Sequence, residues 1–315
     1  MKQLRPFRFG VTGNGATTRE SWLALARKVE AQGYATLLLS DHLHNQLSPV
    51  AALVAAADAT TTLRVGSYMF ANDFRHPVFL AQDAATIDLL SSGRFELGLG
   101  SGWLLADYEK SGIAFDPPGV RIARMAEAVQ IIKGYWGEQP FTYAGTHYQV
   151  KELNGLPKPV QKPRPPIMIG GGAQRILSIA AREADIVGIN FKATPAGWAD
   201  FSSIKPAAID QRIQWVREAA GDRFAELELN NFAFIAAVTD QRRQVAQQGL
   251  QRFGEVIDEA EMDEWLASPM VLVGTVDQII QDLQIRRERF GISYIVLRES
   301  MAEVFAPVVE QLTGN

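Results

Sequence analysis

Two hydrophobic periods take turns along this chain. Residues 7–13 (FRFGVTG) read as a strand. Thr17 and Glu20 then have the spacing of a capping box ahead of SWLALARKVEAQ, where Trp22, Leu25, Ala26 and Val29 share one helix face. Gly33 stands where a helix-terminating glycine belongs. Residues 36–42 (TLLLSDH) form a near-continuous apolar run that ends in polar residues. That is the pattern of a parallel strand covered on both faces, with functional groups at its C-terminal end. The alternation goes on through helix 49–60, strand 63–70, helix 77–90, strand 95–99 and helix 119–136. Strand 167–169, helix 175–182, strand 185–190, helix 207–220 and strand 229–238 follow. Helix 276–290, strand 293–297 and a terminal helix over 302–312 complete the series. Eight strands, each paired with a helix, predict an α/β fold, a (β/α)8 TIM barrel, over an open sheet.

Two stretches interrupt the repeat, and both read as insertions in one domain spanning 1–315. Residues 139–166 hold FTYAGTHYQV, which alternates like a hairpin around Ala144 and Gly145, and then a run of prolines. Residues 240–269 are polar and helical and predict a pair of short helices.

In a barrel the active site gathers at the C-terminal ends of the strands. Two glycine clusters stand there. Gly98, Gly100 and Gly102, in RFELGLGSGW, straddle one such end; glycine would let backbone groups touch a flat ring, and it would equally suit a crowded strand or a tight turn. A dinucleotide-binding loop does not fit, because Trp103 occupies the third glycine position and LLADYEKSG does not read as a clean helix start. Gly170, Gly171 and Gly172 follow a strand and open a helix, which is a candidate phosphate cradle; no Lys-Ser/Thr pair follows, so it is not a P-loop.

Composition narrows the chemistry. The chain has 315 residues, 47% hydrophobic and 21% charged, with a net charge of −4, so no basic cluster points to nucleic acid. Cysteine is absent, which excludes thiolate chemistry, and there are 4 histidines. No signal-peptide pattern and no membrane-length apolar run is legible, so a cytoplasmic enzyme acting on a small molecule is expected, with neither membrane nor nucleic acid as partner.

SSGRFELGLGSGW within residues 88–103, SDH at 40–42 and PIMIGGG…AAREADIVG across 166–188 resemble the luciferase-like monooxygenase superfamily. With FDPPGVR at 115–121, they are similar to its branch of oxidoreductases that use the deazaflavin coenzyme F420. The resemblance runs from Phe7 to Gly188 and resumes over 271–298. It implies a ring against the ends of strands three and four, near Gly66, Ser67, Tyr68, Gly100, Ser101 and Gly102. It implies a phosphate at Gly170, Gly171, Gly172 and Ala173, contacts from Asp41 and His42, and a non-proline cis peptide mapped to Ser67–Tyr68. A homodimer is the family habit. The sugar-phosphate and secondary-alcohol dehydrogenases of the branch carry a glutamate where this chain has Trp103, and a tryptophan in the stretch that here reads LHNQLSP, so their substrates are not expected.

His42 and His44 are then the candidate proton partners for hydride transfer. Phe70, Trp103, Leu104, Tyr108 and Glu109 are candidate walls of an apolar substrate pocket, and Leu43 is a further apolar neighbour. Arg75, Lys192 and Lys205 are candidate contacts for an anionic cofactor tail, and Asp88 and Arg94 read as a structural pair. Three alternatives stay open: an FMN-dependent monooxygenase, a metal-dependent hydrolase built on His42 and His44, and a non-catalytic cofactor-binding protein.

Overall fold

The computed structural model describes residues 4–44, 46–194, 199–254 and 258–314. Eight parallel strands close into a barrel: β1 Arg8–Thr12, β2 Thr36–Leu39, β3 Arg64–Ser67, β4 Phe95–Gly100, β5 Ile167–Gly171, β6 Ile186–Ile189, β7 Glu228–Phe232 and β8 Ile292–Arg298. Each pairs with its sequence neighbours, and β1 closes the circle on β8 in the register Phe9↔Ile295, Val11↔Leu297. The helices packed around it are α1 Arg19–Ala31, α2 Pro49–Asp58, α3 Pro77–Leu90, α4 Leu105–Ser111, α5 Pro118–Trp136, α6 Gln174–Glu183 and α7 Pro206–Ala220. They continue with α8 Arg242–Gln251, α9 Met262–Leu266, α10 Val276–Phe290 and α11 Ala302–Leu312. Outward side chains such as Leu37, Leu39, Ile169 and Val187 pack on these helices, while Leu38, Met168, Ile186, Phe232, Tyr294 and Val296 fill the lumen. This two-sided burial is why the strands read as unbroken apolar runs.

The N-terminal end of the lumen is closed by charge. Arg8 reaches Glu96 at 2.6 Å and Glu228 at 2.7 Å, and Arg64 reaches Glu96 at 2.6 Å. Burial alone would push the Glu96 carboxyl up, but Arg8 and Arg64 pull it below the usual carboxylate range.

Local details shift several expectations. The cap of α1 is Thr18 with Ser21, one residue later than Thr17 and Glu20, because the Thr18 hydroxyl accepts the Ser21 N–H at 3.2 Å and the Ser21 hydroxyl takes the Thr18 N–H in return. The non-proline cis peptide is Tyr68–Met69 instead of Ser67–Tyr68. Tyr68 N–H still donates to Leu39 O at 2.8 Å, so the ladder holds through that nitrogen and breaks one bond later, before Phe70–Ala71 resumes pairing with β4. The long seventh strand divides. After Ala233 the chain leaves the barrel, and Ile235–Val238 pairs in parallel with Val271–Gly274, a strand the sequence pattern left unassigned between the insertion at 240–269 and the helix at 276–290.

The excursion at 139–166 carries the antiparallel hairpin Phe141–Ala144 and Gln149–Leu153. The Glu127 carboxylate on α5 accepts the N–H groups of Thr146, His147 and Tyr148, so His147 belongs to a pinned turn. The second insertion holds α8 and α9.

Candidate active site

The C-terminal ends of the strands open on a cavity of about 430 Å3, within the range of small-molecule sites. The three alternating glycines have three different reasons. A Cβ on Gly98 would lie 2.0 Å from Ser67 O, and Ser67 Oγ bridges both the N–H (3.0 Å) and the carbonyl (2.7 Å) of Gly98. Gly98 therefore serves the close approach of β3 to β4. Gly102 has φ +75, and a Cβ there would meet the Tyr108 hydroxyl at 1.8 Å. Gly100 borders the cavity, with Met69 Cβ at 3.6 Å as the nearest neighbour of an added Cβ. Ser101, Gly102, Trp103 and Leu104 carry the wall onward, while Gly66 and Ser67 lie in the strand beneath it, away from the cavity.

His42 lines the cavity, and its Nδ1 lies 2.5 Å from Asp107 Oδ2; the other Asp107 oxygen accepts the Leu43 N–H at 3.2 Å. The Trp103 and His42 rings meet edge to face, their centroids 6.0 Å apart. An ionised Asp107 accepts from Nδ1–H, which fixes the tautomer and leaves Nε2 as the ring nitrogen for a reactant. Asp107 was not among the residues singled out from sequence, because LLADYEKSG did not read as a helix. It forms α4, which places buried Asp107 and Tyr108 toward the mouth and ends at Gly112 with φ +72; that glycine was the available signal.

Asp41 also lines the cavity, but its carboxylate is occupied by Arg75, at 2.5 and 3.0 Å, and by Ala71 N–H at 3.0 Å. It holds the chain after β3 in place. His44 is exposed and stacks on His42 at 5.3 Å, outside the cavity wall; burial first, then His42, push its pKa down. Tyr108 lines the cavity with its ring and donates its hydroxyl to Asp73 at 3.1 Å. Burial, and then Asp73, raise its pKa, so it stays protonated. Arg124 holds the same Asp73 at 2.8 and 3.0 Å. Glu109, one residue on, is exposed and outside the cavity wall. Phe70 and Leu104 line the cavity, whereas Leu43 is 51% exposed and does not. Asp88 and Arg94 do not pair with each other. Asp88 accepts from Gln161, and Arg94 donates to the carbonyls of Ala57, Leu63 and Ser91, which ties the turn ahead of β4 to its neighbours.

The second glycine cluster leads from β5 into α6, whose first residue follows Ala173 with no side-chain cap. Its first-turn N–H groups and the positive end of the helix face the cavity edge formed by Gly170, Gly171, Gly172 and Ala173. A Cβ on Gly172 would strike Phe191 O at 2.0 Å, and one on Gly171 would strike Ile176 at 2.3 Å. Beneath the turn, buried Arg212 donates to Gly172 O at 2.9 Å. These residues fit a phosphate. Of the three basic residues named for an anionic tail, Lys192 borders the cavity, Arg75 is held by Asp41, and Lys205 pairs with Glu261 and Glu264. Among the described residues no three His, Asp or Glu side chains converge as metal ligands, and His42 Nδ1 is already engaged by Asp107, which counts against the hydrolase alternative.

A sequence model described as luciferase-like monooxygenase matches residues 4–293. The chain belongs to that family. An F420-dependent glucose-6-phosphate dehydrogenase of Microbacterium testaceum is 32% identical over 167 residues, covering 50% of this chain and 48% of that protein. An FMNH2-dependent dimethylsulfone monooxygenase of Pseudomonas putida is 29% identical over 146 residues, covering 46% and 39%. The matched segments span about half the length of these two curated relatives, 48% and 39%. The solved coenzyme F420-dependent tetrahydromethanopterin reductase of Methanopyrus kandleri superposes with a TM-score of 0.77 at 17% identity, covering 98% of this chain and 100% of that one, and shares the fold. The luciferase-like family therefore includes both F420-dependent oxidoreductases and FMN-dependent monooxygenases. Among the described residues no helix is long and apolar enough to cross a membrane.

Proposed function

We propose that this luciferase-like protein is an F420-dependent oxidoreductase that transfers a hydride between the deazaflavin and a small, apolar organic substrate. The observation that carries the reading is His42, held through Nδ1 at 2.5 Å by Asp107 with its ring on the cavity wall. When bound, the coenzyme supplies a ring carbon that gives or accepts a hydride. Such chemistry needs a proton partner for the substrate, and His42 Nε2 is placed to take or return that proton. Asp107 is a positioning residue that keeps the imidazole in one tautomer and one orientation. The uncapped start of α6 and Lys192 are the groups offered to phosphate and to an anionic tail. Phe70, Trp103 and Leu104 supply apolar wall that excludes water from the reacting atoms.

The same cradle suits the phosphate of FMN, and the monooxygenase relative uses reduced FMN. Side-by-side titrations of the purified chain with F420 and FMN separate the two readings. Saturable F420 binding at micromolar or tighter affinity, with weaker FMN binding, is expected. Tight FMN binding with no measurable F420 binding would sink the proposal.

A further inference from the structure

Among the described residues three arginines are buried: Arg121 and Arg212, each 4% exposed, and Arg286. Arg286 reaches the Asp282 carboxylate at 3.2 Å. The other two have no such partner, and every hydrogen bond they make runs to a backbone carbonyl. The carboxylates around α4 and the start of α5 are taken by other groups, Asp73 and Asp116 by Arg124 and Asp107 by His42. Burial pushes the Arg212 pKa below its ordinary value, and Asp200 opposes that only in part. A buried cation without a counter-charge is unfavourable. Carbonyl dipoles offset part of the cost, and a bound anion supplies what they leave out.

Both unpaired arginines stand at the phosphate cradle. Arg212 lies beneath it, donating to Gly172 O at 2.9 Å and to Ser203 O at 2.5 Å. Arg121 is part of the cavity wall beside it. Its Nε donates to Asp116 O at 2.8 Å, and its Nη1 donates to Ser101 O at 3.4 Å and to Gly102 O. The register Leu97↔Ile167, Leu99↔Ile169, carried two residues on, sets Ser101 across from Gly171, about 4.8 Å away at the usual strand spacing. The starts of α5 and α6 are tied together by Arg175, whose Nη1 donates to Gly119 O at 3.0 Å. One face of the Arg121 guanidinium lies on the Phe115 ring, 4.0 Å from its centroid. That leaves Nη2. It has no hydrogen-bond partner among the described residues, and it is not one of the sealed side-chain atoms that lack one, so its N–H groups open on the cavity. The guanidinium is therefore fixed in orientation before any ligand arrives.

We infer that Arg121 grips an oxyanion of the bound ligand through Nη2, beside the free N–H groups at the start of α6. Arg212 holds the turn from below and adds positive potential to it. The inference rests on the cavity and cradle described above, and not on the choice between F420 and FMN. Charge-assisted bonds from a guanidinium suit a cofactor phosphate and a substrate carboxylate alike, and the test tells the two sources apart. An uncharged analogue of the same shape leaves Arg121 unanswered, so the wall selects for charge as well as for shape.

The test compares two pairs of probes on the purified full chain by calorimetry: FMN against riboflavin, which lacks the phosphate, and 3-phenylpropionate against its neutral amide. In at least one pair the anion should bind about tenfold or more tightly than its neutral partner, the weight of one hydrogen bond to a charged group. That preference should shrink as salt is raised. The pair that shows it names the source of the oxyanion. Arg121→Gln should abolish the preference and Arg121→Lys should keep part of it, while the neutral member binds as it does to the parent. A residue that only braces the loop would weaken both members equally and leave their ratio unchanged. No preference in either pair, or a ratio that survives Arg121→Gln, overturns the inference. If Arg121→Gln does not fold, Arg121→Lys decides: a reduced ratio supports the inference and an unchanged one overturns it. Loss of the F420 reading would register separately, as a failed coenzyme titration beside an intact, Arg121-dependent preference for the anion.

Discussion

The two ends of the barrel use the same kinds of charged side chain in opposite ways. At the closed end Arg8, Arg64, Glu96 and Glu228 form a connected cluster in which each guanidinium meets a carboxylate within 2.7 Å. At the open end Asp41 and Asp73 are also consumed, by Arg75 and Arg124, but His42 on the cavity wall keeps one ring nitrogen for something else. Satisfied charge fixes the geometry, and a ring nitrogen left unengaged on the cavity wall is where a reactant can enter. The contrast predicts that changes at the open end alter binding and turnover at little cost in folding, and that changes at the closed end do the reverse.

The largest expected effect is at His42. His42→Asn should bind cofactor nearly normally while turnover falls by roughly 10²–10⁴-fold, as for removal of a general acid or base. The same change at exposed His44 should leave turnover close to that of the parent, measured in the same assay. Equal turnover in both variants would make His42 a structural histidine and pass the role to Tyr68 or Tyr108.

At the closed end, Glu96→Gln removes the carboxylate shared by two arginines whose side chains are 20% and 27% exposed. Breaking a buried pair in this way costs about 3–5 kcal/mol, read as a shifted midpoint in urea unfolding. Cofactor affinity in the protein that remains folded should not change. A loss of affinity without a loss of stability would reverse the assignment of the two ends.

The cradle comes next. Gly171→Ala drives a Cβ to 2.3 Å from Ile176 in the first turn of α6, so that turn must shift. Cofactor affinity should fall at least tenfold, about 1.4 kcal/mol, with a normal far-ultraviolet spectrum. Unchanged affinity would move the phosphate elsewhere.

The smallest effect concerns the loop ahead of β3. Glu30 accepts the N–H groups of Thr62, Leu63 and Thr61 at 2.7, 3.0 and 2.8 Å. Burial pushes its carboxyl up, but these donors outweigh it and hold the pKa at about 2, against an ordinary 4.5. A depressed carboxyl stabilises the fold above its unfolded value, and that contribution fades as pH falls from about 4.5 toward 2. Glu30→Gln should therefore lower the melting temperature at pH 7, and the difference from the parent should narrow at pH 3. A difference that does not change with pH would show that the carboxylate charge has no part in holding the loop.

The hydrophobic pattern by itself determined the barrel. Strands buried between lumen and helices must be apolar on both faces, and helices packed on one side must be apolar along a stripe, so the alternation of β and α was written in the periods. It also determined that the mouth carries His42 and two glycine clusters, since functional groups fall where apolar runs stop. It could not tell apart the reasons for Gly98, Gly100 and Gly102, because a close strand, a cavity edge and a left-handed turn all ask for the same missing side chain. Nor could it join His42 to Asp107, which lies 65 residues away, or join Arg8 to Glu96 and Glu228 across the closed end. Periodicity is a local property of the chain, whereas pairing and its absence depend on which strand ends the closed barrel brings side by side, and only the tertiary structure decides that.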